Sequence, residues 1–225
     1  MDNFFADKGI KTAAIYGAFI PNPMHVYRTA GVLAGLGLSY GGATTEEDVV
    51  GLIFADQGID LSKISGDIKI VSYLQGYGDT TTDEINAAIQ AAPEAFISVG
   101  MATTFFTQQL NAAGIEFSDI DSFTKSNGEA ITNGKLVYLA GKYSSSVGPA
   151  FALVMNAING NVIRDAQGNA VSLSQNYQVA TDSETFDKFY KNDNGDNPIY
   201  SRDTLDQIIG DTVTFDTINE VVASN

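Results

Sequence analysis

Through residues 10–160 a short β-branched or aromatic run is followed by a turn and then by apolar positions at helical spacing, and this unit recurs. The pattern predicts an α/β fold, a three-layer parallel sheet flanked by helices. Strands are expected at 12–17, 68–74, 95–99, 120–123 and 136–140. The run 95–99 (AFISV) is continuously apolar, as a strand covered on both faces must be. The first helix opens at Asn22 and Pro23, because asparagine satisfies orphan amides and proline has no N–H to lose at the first helical position. A second helix carries Thr81 and Glu84 as a capping box, a stripe of Ile85, Ala88, Ile89 and Ala92, and Pro93 as its stop. A third runs over 104–113 and closes on Gly114, and a fourth over 147–159.

Two stretches interrupt the pattern. Residues 41–66 form an insertion with its own helical piece at 46–54, and everything after 160 is rich in Asn, Asp and Gly with short elements. Tyr177, Phe186, Phe189, Tyr190, Ile208, Ile209, Phe215 and Ile218 are too many large apolar groups for a disordered tail, so an irregular C-terminal extension packed on the rest is expected. The division reads as 1–145, an α/β domain, and 146–225, a crossover helix with the extension. In a parallel sheet, ligands lie at the carboxyl ends of the strands, here 18–22, 75–78, 100–103, 124–127 and 141–145.

Composition narrows the chemistry. The 225 residues contain no cysteine and one histidine, which excludes disulfide frameworks, thiol nucleophiles and any site needing two imidazoles. A formal charge of −15 with no basic run repels phosphate backbones and anionic membrane surfaces, so no nucleic-acid partner is expected. No apolar stretch reaches the roughly 20 residues of a membrane span, and the opening MDNFFADKGIK lacks a signal-peptide core.

Gly37-Leu38-Ser39-Tyr40-Gly41 matches the nucleophile elbow of hydrolases, but the only histidine, His25, lies upstream of the serine rather than downstream. Residues 192–197 (NDNGDN) suggest a calcium loop, yet Asn197 stands where that loop needs glycine, so the stretch reads as a solvated turn. Asp119/Asp121 and Glu46/Glu47 read equally well as ordinary strand-end and helix-surface acids. Arg28 differs, since it sits among Val26, Tyr27, Ala30, Val32 and Leu33, where either a salt-bridged, snorkelling arginine or a ligand clamp would fit.

The order of these pieces carries a resemblance. Strand TAAIYG, a helix with Arg28-Thr29-Ala30-Gly31, AFISVG, helix FFTQQLNAAGI, strand DIDSFT, the run Ile131-Thr132-Asn133-Gly134-Lys135-Leu136, and Val147-Gly148-Pro149 opening a helix that ends in Asn159-Gly160 follow one another across about two thirds of the chain. In that order they resemble the second lobe of a type I, sugar-type periplasmic solute-binding protein of ABC transporters. The resemblance implies that most of a first lobe is missing, that a small polar ligand is bound without chemical conversion, and that no cofactor or metal takes part. It carries ligand contacts onto Arg28, the turn Val99, Gly100 and Met101, Thr124 and Lys142; Asn22 and Thr103, at the strand ends, and His25, beside Arg28, complete the candidate set. Sugar-binding members place polar groups where Val99, Gly100 and Thr124 stand here, so a sugar is one solute class among several.

The expected function is thus the extracytoplasmic solute-binding component of an ABC importer, a lipoprotein or periplasmic protein in its full-length form, with the transporter permease as partner and not an enzyme. The alternatives are the effector-binding core of a LacI-like transcription regulator and, further off, an α/β hydrolase. The helix at 147–159 is apolar round nearly its whole circumference, so it is expected to be covered by the tail or by a second copy of the chain in a dimer.

Overall fold

The computed structural model describes residues 4–77, 80–141, 144–195 and 198–224, with the side chains of 80, 81, 144 and 145 outside that description. The Thr81 side chain of the expected capping box is therefore outside that description. The chain divides into two compact units, one holding residues up to Asp121 with 125–140 and 180–183, the other holding 122–124, 141–179 and the rest.

The first unit begins with a turn of helix, α1 (Phe4–Asp7), followed by β1 (Thr12–Tyr16) and α2 (Pro23–Gly35). The insertion holds β2 (Ser39–Tyr40), α3 (Glu46–Asp56) and β3 (Ile64–Ser65), after which β4 (Lys69–Leu74), α4 (Thr80–Gln90), β5 (Ala95–Ser98), α5 (Ala102–Ala113), β6 (Glu116–Ile120), α6 (Lys125–Thr132) and β7 (Leu136–Gly141) alternate. A short strand, β8 (Gln178–Ala180), gives a six-stranded sheet of order β4-β1-β5-β6-β7-β8. The β1–β4, β1–β5, β5–β6 and β6–β7 pairs are all parallel. All four residues of β5 are buried, as its apolar run requires of a central strand. Since β4 and β5 flank β1 on opposite sides, the chain reverses its direction of winding between β1 and β5. Doubly wound sheets open a crevice at such a point.

Local chemistry explains the helix starts. Asn22 caps α2 by accepting the Met24 amide on its side chain at 3.0 Å, with Pro23 next in the helix. Thr45 caps α3 in the same way, and Gly114 ends α5 in the left-handed conformation. The insertion is tied down by Tyr40, which donates to Asp56 at 2.6 Å and accepts the Asp60 amide at 2.9 Å, while Lys63 pairs with Asp56. Burial, together with the Asp56 carboxylate, pushes the Tyr40 phenol up to about 12.

Two elements differ from the sequence pattern. β6 lies at Glu116–Ile120 and not at 120–123, because the buried Ser118 and Asp119 interrupt its hydrophobicity. The eight-residue α6 was not expected; it contains Gly128 and buries only Asn127, Ala130 and Ile131, too little to show as a helical stripe.

The second unit contains a 3-10 turn (Ser144–Val147), α7 (Gly148–Ile158), α8 (Ser183–Asn194), α9 (Arg202–Gln207) and α10 (Phe215–Ala223). Its core gathers Ala152, Ile163, Ile208, Ile218 and Val222, and Phe123 packs against Phe186 and Phe189 in a smaller cluster. The segment after 160 is thus more regular than its composition suggests, and Asn192, read as part of a solvated turn, lies inside α8. Residues 196 and 197 of that turn are outside the described residues. The tail covers the Ala152 and Asn156 side of α7, whereas Val147, Phe151, Val154 and Ile158 are 48–71% exposed. The tail alone therefore does not cover α7 on all sides. One face is closed by the tail and the opposite apolar face is open.

Candidate functional site

The reversal between β1 and β5 brings two loops together, and each contains a non-glycine residue in the left-handed region. Ala18, two residues beyond β1, has φ 53°, and Met101, at the head of α5, has φ 68°. Such conformations cost about 1 kcal/mol or more and persist only where their surroundings fix them.

From the β1 side, α2 presents His25 and Arg28 one turn apart on the face towards the β5 loop. Arg28 donates through Nη1 to the Val99 carbonyl at 2.9 Å. A Cβ placed on Gly100 would lie 3.5 Å from that same nitrogen and 3.8 Å from His25 Nε2, so Gly100, Arg28 and His25 converge on one spot. The Nδ1 atom of His25 is 3.0 Å from the Phe19 amide and 3.1 Å from its carbonyl, which fixes the ring on the β1 loop. Burial holds the imidazole below its ordinary range; the Phe19 hydrogen bond opposes this and the Arg28 charge adds to it.

That shift gives an expected result. The folded chain binds the His25 proton less tightly than the unfolded chain, so the histidine's contribution to stability is present above about pH 6.5 and is lost as pH falls through that value towards the lowered one. Since His25 is the only histidine, the single histidine Hε1 resonance in a proton NMR titration should move at a pH below 6.5. A midpoint at or above that value would contradict the burial described here.

From the β5 side, the loop rests on Asp119. This carboxylate is fully buried inside β6, where Oδ1 accepts from Ser98 Oγ at 2.9 Å and from the Ile120 amide at 3.0 Å, and Oδ2 accepts from the Thr103 amide at 2.9 Å. Ser98 Oγ in turn accepts the Gly100 amide at 3.0 Å. Burial pushes the Asp119 carboxyl above its ordinary range, against the pull of the Thr103 amide and the Ser98 hydroxyl. Asp119 thereby supplies to α5 the cap that Met101 cannot. The sequence reading, which treated Asp119 as a strand-end acid on a par with Asp121, missed this; an acid within an otherwise strand-forming stretch was the available signal.

Aromatic groups surround the loops. Phe19 stacks on Tyr77 with ring centres 6.3 Å apart, Tyr77 meets Phe105 at 5.3 Å, and the three are 39–46% exposed, with Met24, Tyr27 and Met101 similarly open. Beside Phe19, a cavity of about 480 Å³ is lined by Ile20, Pro21, Phe54, Gln57 and Gln75. So much exposed apolar surface at one sheet edge marks a place of contact rather than random exposure. Flat rings beside an arginine and a neutral imidazole suit a small molecule with an apolar face and hydrogen-bonding groups. No group of three or more potential metal-ligating side chains occurs among the described residues.

The candidate residues therefore sort as follows. His25, Arg28, Gly100 and Met101 come together. Asn22 and Thr103 adjoin them in supporting roles, Asn22 as the α2 cap and Thr103 through its amide on Asp119, while the Thr103 hydroxyl is buried without a partner. Thr124 belongs to the second unit, four residues beyond β6, and Lys142 lies outside the described residues. The aromatic set was not foreseen, because its members are scattered over 19, 77 and 105 and meet only through the sheet order. Ser39 lies on β2, antiparallel to β3, with its hydroxyl against the Ser65 carbonyl, an arrangement unlike a strand-to-helix elbow. No helix among the described residues is long and apolar enough to cross a membrane. No protein-family model and no curated protein matches the chain.

Proposed function

We propose that the chain is a binding module that holds a small polar solute, such as a sugar, at the carboxyl edge of its sheet and releases it unchanged, as the extracytoplasmic solute-binding component of an ABC importer. The observation that carries this reading is the convergence of Arg28, His25 and Gly100 beside the exposed Phe19–Tyr77–Phe105 rings at the reversal between β1 and β5. Rings supply a face on which a sugar's C–H groups stack, and the arginine supplies donors for its oxygens. A hydrolase reading lacks support of this kind, as Ser39 has no base beside it in sequence and sits on a different element.

Calorimetry with a panel of neutral mono- and disaccharides tests the proposal. A member of the panel should bind and be recovered unaltered, Arg28→Ala should weaken its binding about thirtyfold, equivalent to about 2 kcal/mol, and Tyr77→Ala about tenfold. Conversion of the solute to product, or binding indifferent to both variants, would overturn it. The exposed stripe of Val147, Phe151, Val154 and Ile158 recurs every three to four residues along α7 and suits an antiparallel pairing with a second copy. Sedimentation should show self-association that Val154→Asp abolishes; a parent chain that stays monomeric at high concentration would remove the dimer.

A further inference from the structure

The second unit contains a cavity apart from the site just described. It measures about 360 Å³, within the roughly 300–1,000 Å³ of small-molecule sites. Gln175, Asn176, Tyr177, Gln178 and Tyr200 line it, together with Ser224 just beyond the end of α10. None of the described residues that line it carries a charged side chain, although the chain carries −15 overall. A gap left by chance between loops of so acidic a protein would be expected to collect carboxylates.

The walls are built rather than loose. Gln175 donates through Nε2 to the Ser146 carbonyl at 2.9 Å, which anchors the wall to the turn before α7. Tyr200 is 6% exposed and lies so close to Gly148 that a Cβ there would come within 2.7 Å of the tyrosine Cβ; glycine is the residue that admits the ring. Burial pushes the Tyr200 phenol up, so it remains a neutral donor and acceptor. Tyr177, also in the lining, is 39% exposed.

We infer that this cavity is a second binding site, for a small uncharged polyhydroxylated molecule of the sugar or cyclitol class. The Asn176 side chain carries both a donor pair and an acceptor, and Gln175 keeps its amide oxygen and second N–H beyond the bond to Ser146, the complement of adjacent hydroxyls that donate and accept at once. The tyrosines supply the apolar face against which the C–H side of such a ring packs. With no charged side chain among the described lining residues, an anionic or cationic ligand would meet no compensating charge from them. This inference does not depend on the function proposed for the first unit.

The test is calorimetry of the full chain with D-glucose and myo-inositol as probes, and with D-glucose 6-phosphate and N-acetylglycinamide as controls. Tyr177→Ala removes the exposed ring, Ser224→Trp fills the cavity from its exposed end, and Tyr77→Ala reports on the first-unit site. A neutral polyol should bind, lose affinity about tenfold in Tyr177→Ala, lose binding in Ser224→Trp, and be unaffected in this component by Tyr77→Ala. Circular dichroism of the two second-unit variants should match the parent, both positions being partly exposed. Binding of neither polyol, equal or tighter binding of the phosphate or the amide, or polyol binding that only Tyr77→Ala removes would overturn the second site. The last outcome would leave the first-unit proposal standing, so the two are separable.

Discussion

Replacing Asp119 by alanine should lower the stability of the first unit by about 3 kcal/mol, and replacing it by asparagine should cost about 2 kcal/mol. The carboxylate is fully buried and its partners are all donors: the Ser98 hydroxyl, the Ile120 amide and the Thr103 amide. Alanine leaves these donors unpaired inside the protein at the head of a helix with no other side-chain cap. Asparagine keeps the shape but turns an amide N–H towards at least one N–H or O–H that needs an acceptor. The loss should reach the candidate site, because Ser98 also holds the Gly100 amide and so sets the loop against which Arg28 rests. Urea unfolding followed by far-ultraviolet circular dichroism checks the stability. An alanine variant as stable as the parent would mean that the carboxylate is not the anchor described.

The second large effect is expected at Asn156. α7 looks apolar on all sides in sequence, yet this one amide is fully buried within it, donating to the Ile208 carbonyl at 2.8 Å and accepting the Gly210 amide at 2.8 Å. Asn161 continues the link by donating to the Gly210 and Val213 carbonyls. Asn156→Leu, the change that hydrophobicity alone would favour, removes both bonds and adds bulk, at a cost of about 3 kcal/mol to the second unit. Amide hydrogen exchange at Gly210 should quicken in parallel. Unchanged protection there, with unchanged stability, would show that the tail is held to α7 by its apolar contacts alone.

These two residues show what the sequence made legible. The strands β1, β4, β5 and β7 and the helices α2, α5 and α7 follow from runs and periodicities local to each segment, and the capping of α2 by Asn22 is written in adjacent residues. Asp119 and Asn156 are polar groups in buried elements, satisfied, apart from the adjacent Ile120 amide, by partners 16–54 positions away, and no local pattern announces such a pairing. β6 was displaced in the reading for the same reason. The candidate site divides likewise. Arg28 stood out as a cation among apolar neighbours, and the strand ends pointed to Gly100 and Met101, whereas the Phe19–Tyr77–Phe105 cluster depends on the order in which strands pair.

The central claim is that a small solute rests at the reversal between β1 and β5. The most direct measurement is a titration of the isotope-labelled chain with the tightest-binding neutral saccharide of the panel, followed residue by residue by NMR. The largest shifts should fall on Phe19, His25, Arg28, Tyr77, Gly100 and Met101, with the solute's own resonances unchanged at the end. Shifts confined to other surfaces, with these six residues unmoved, would contradict the account.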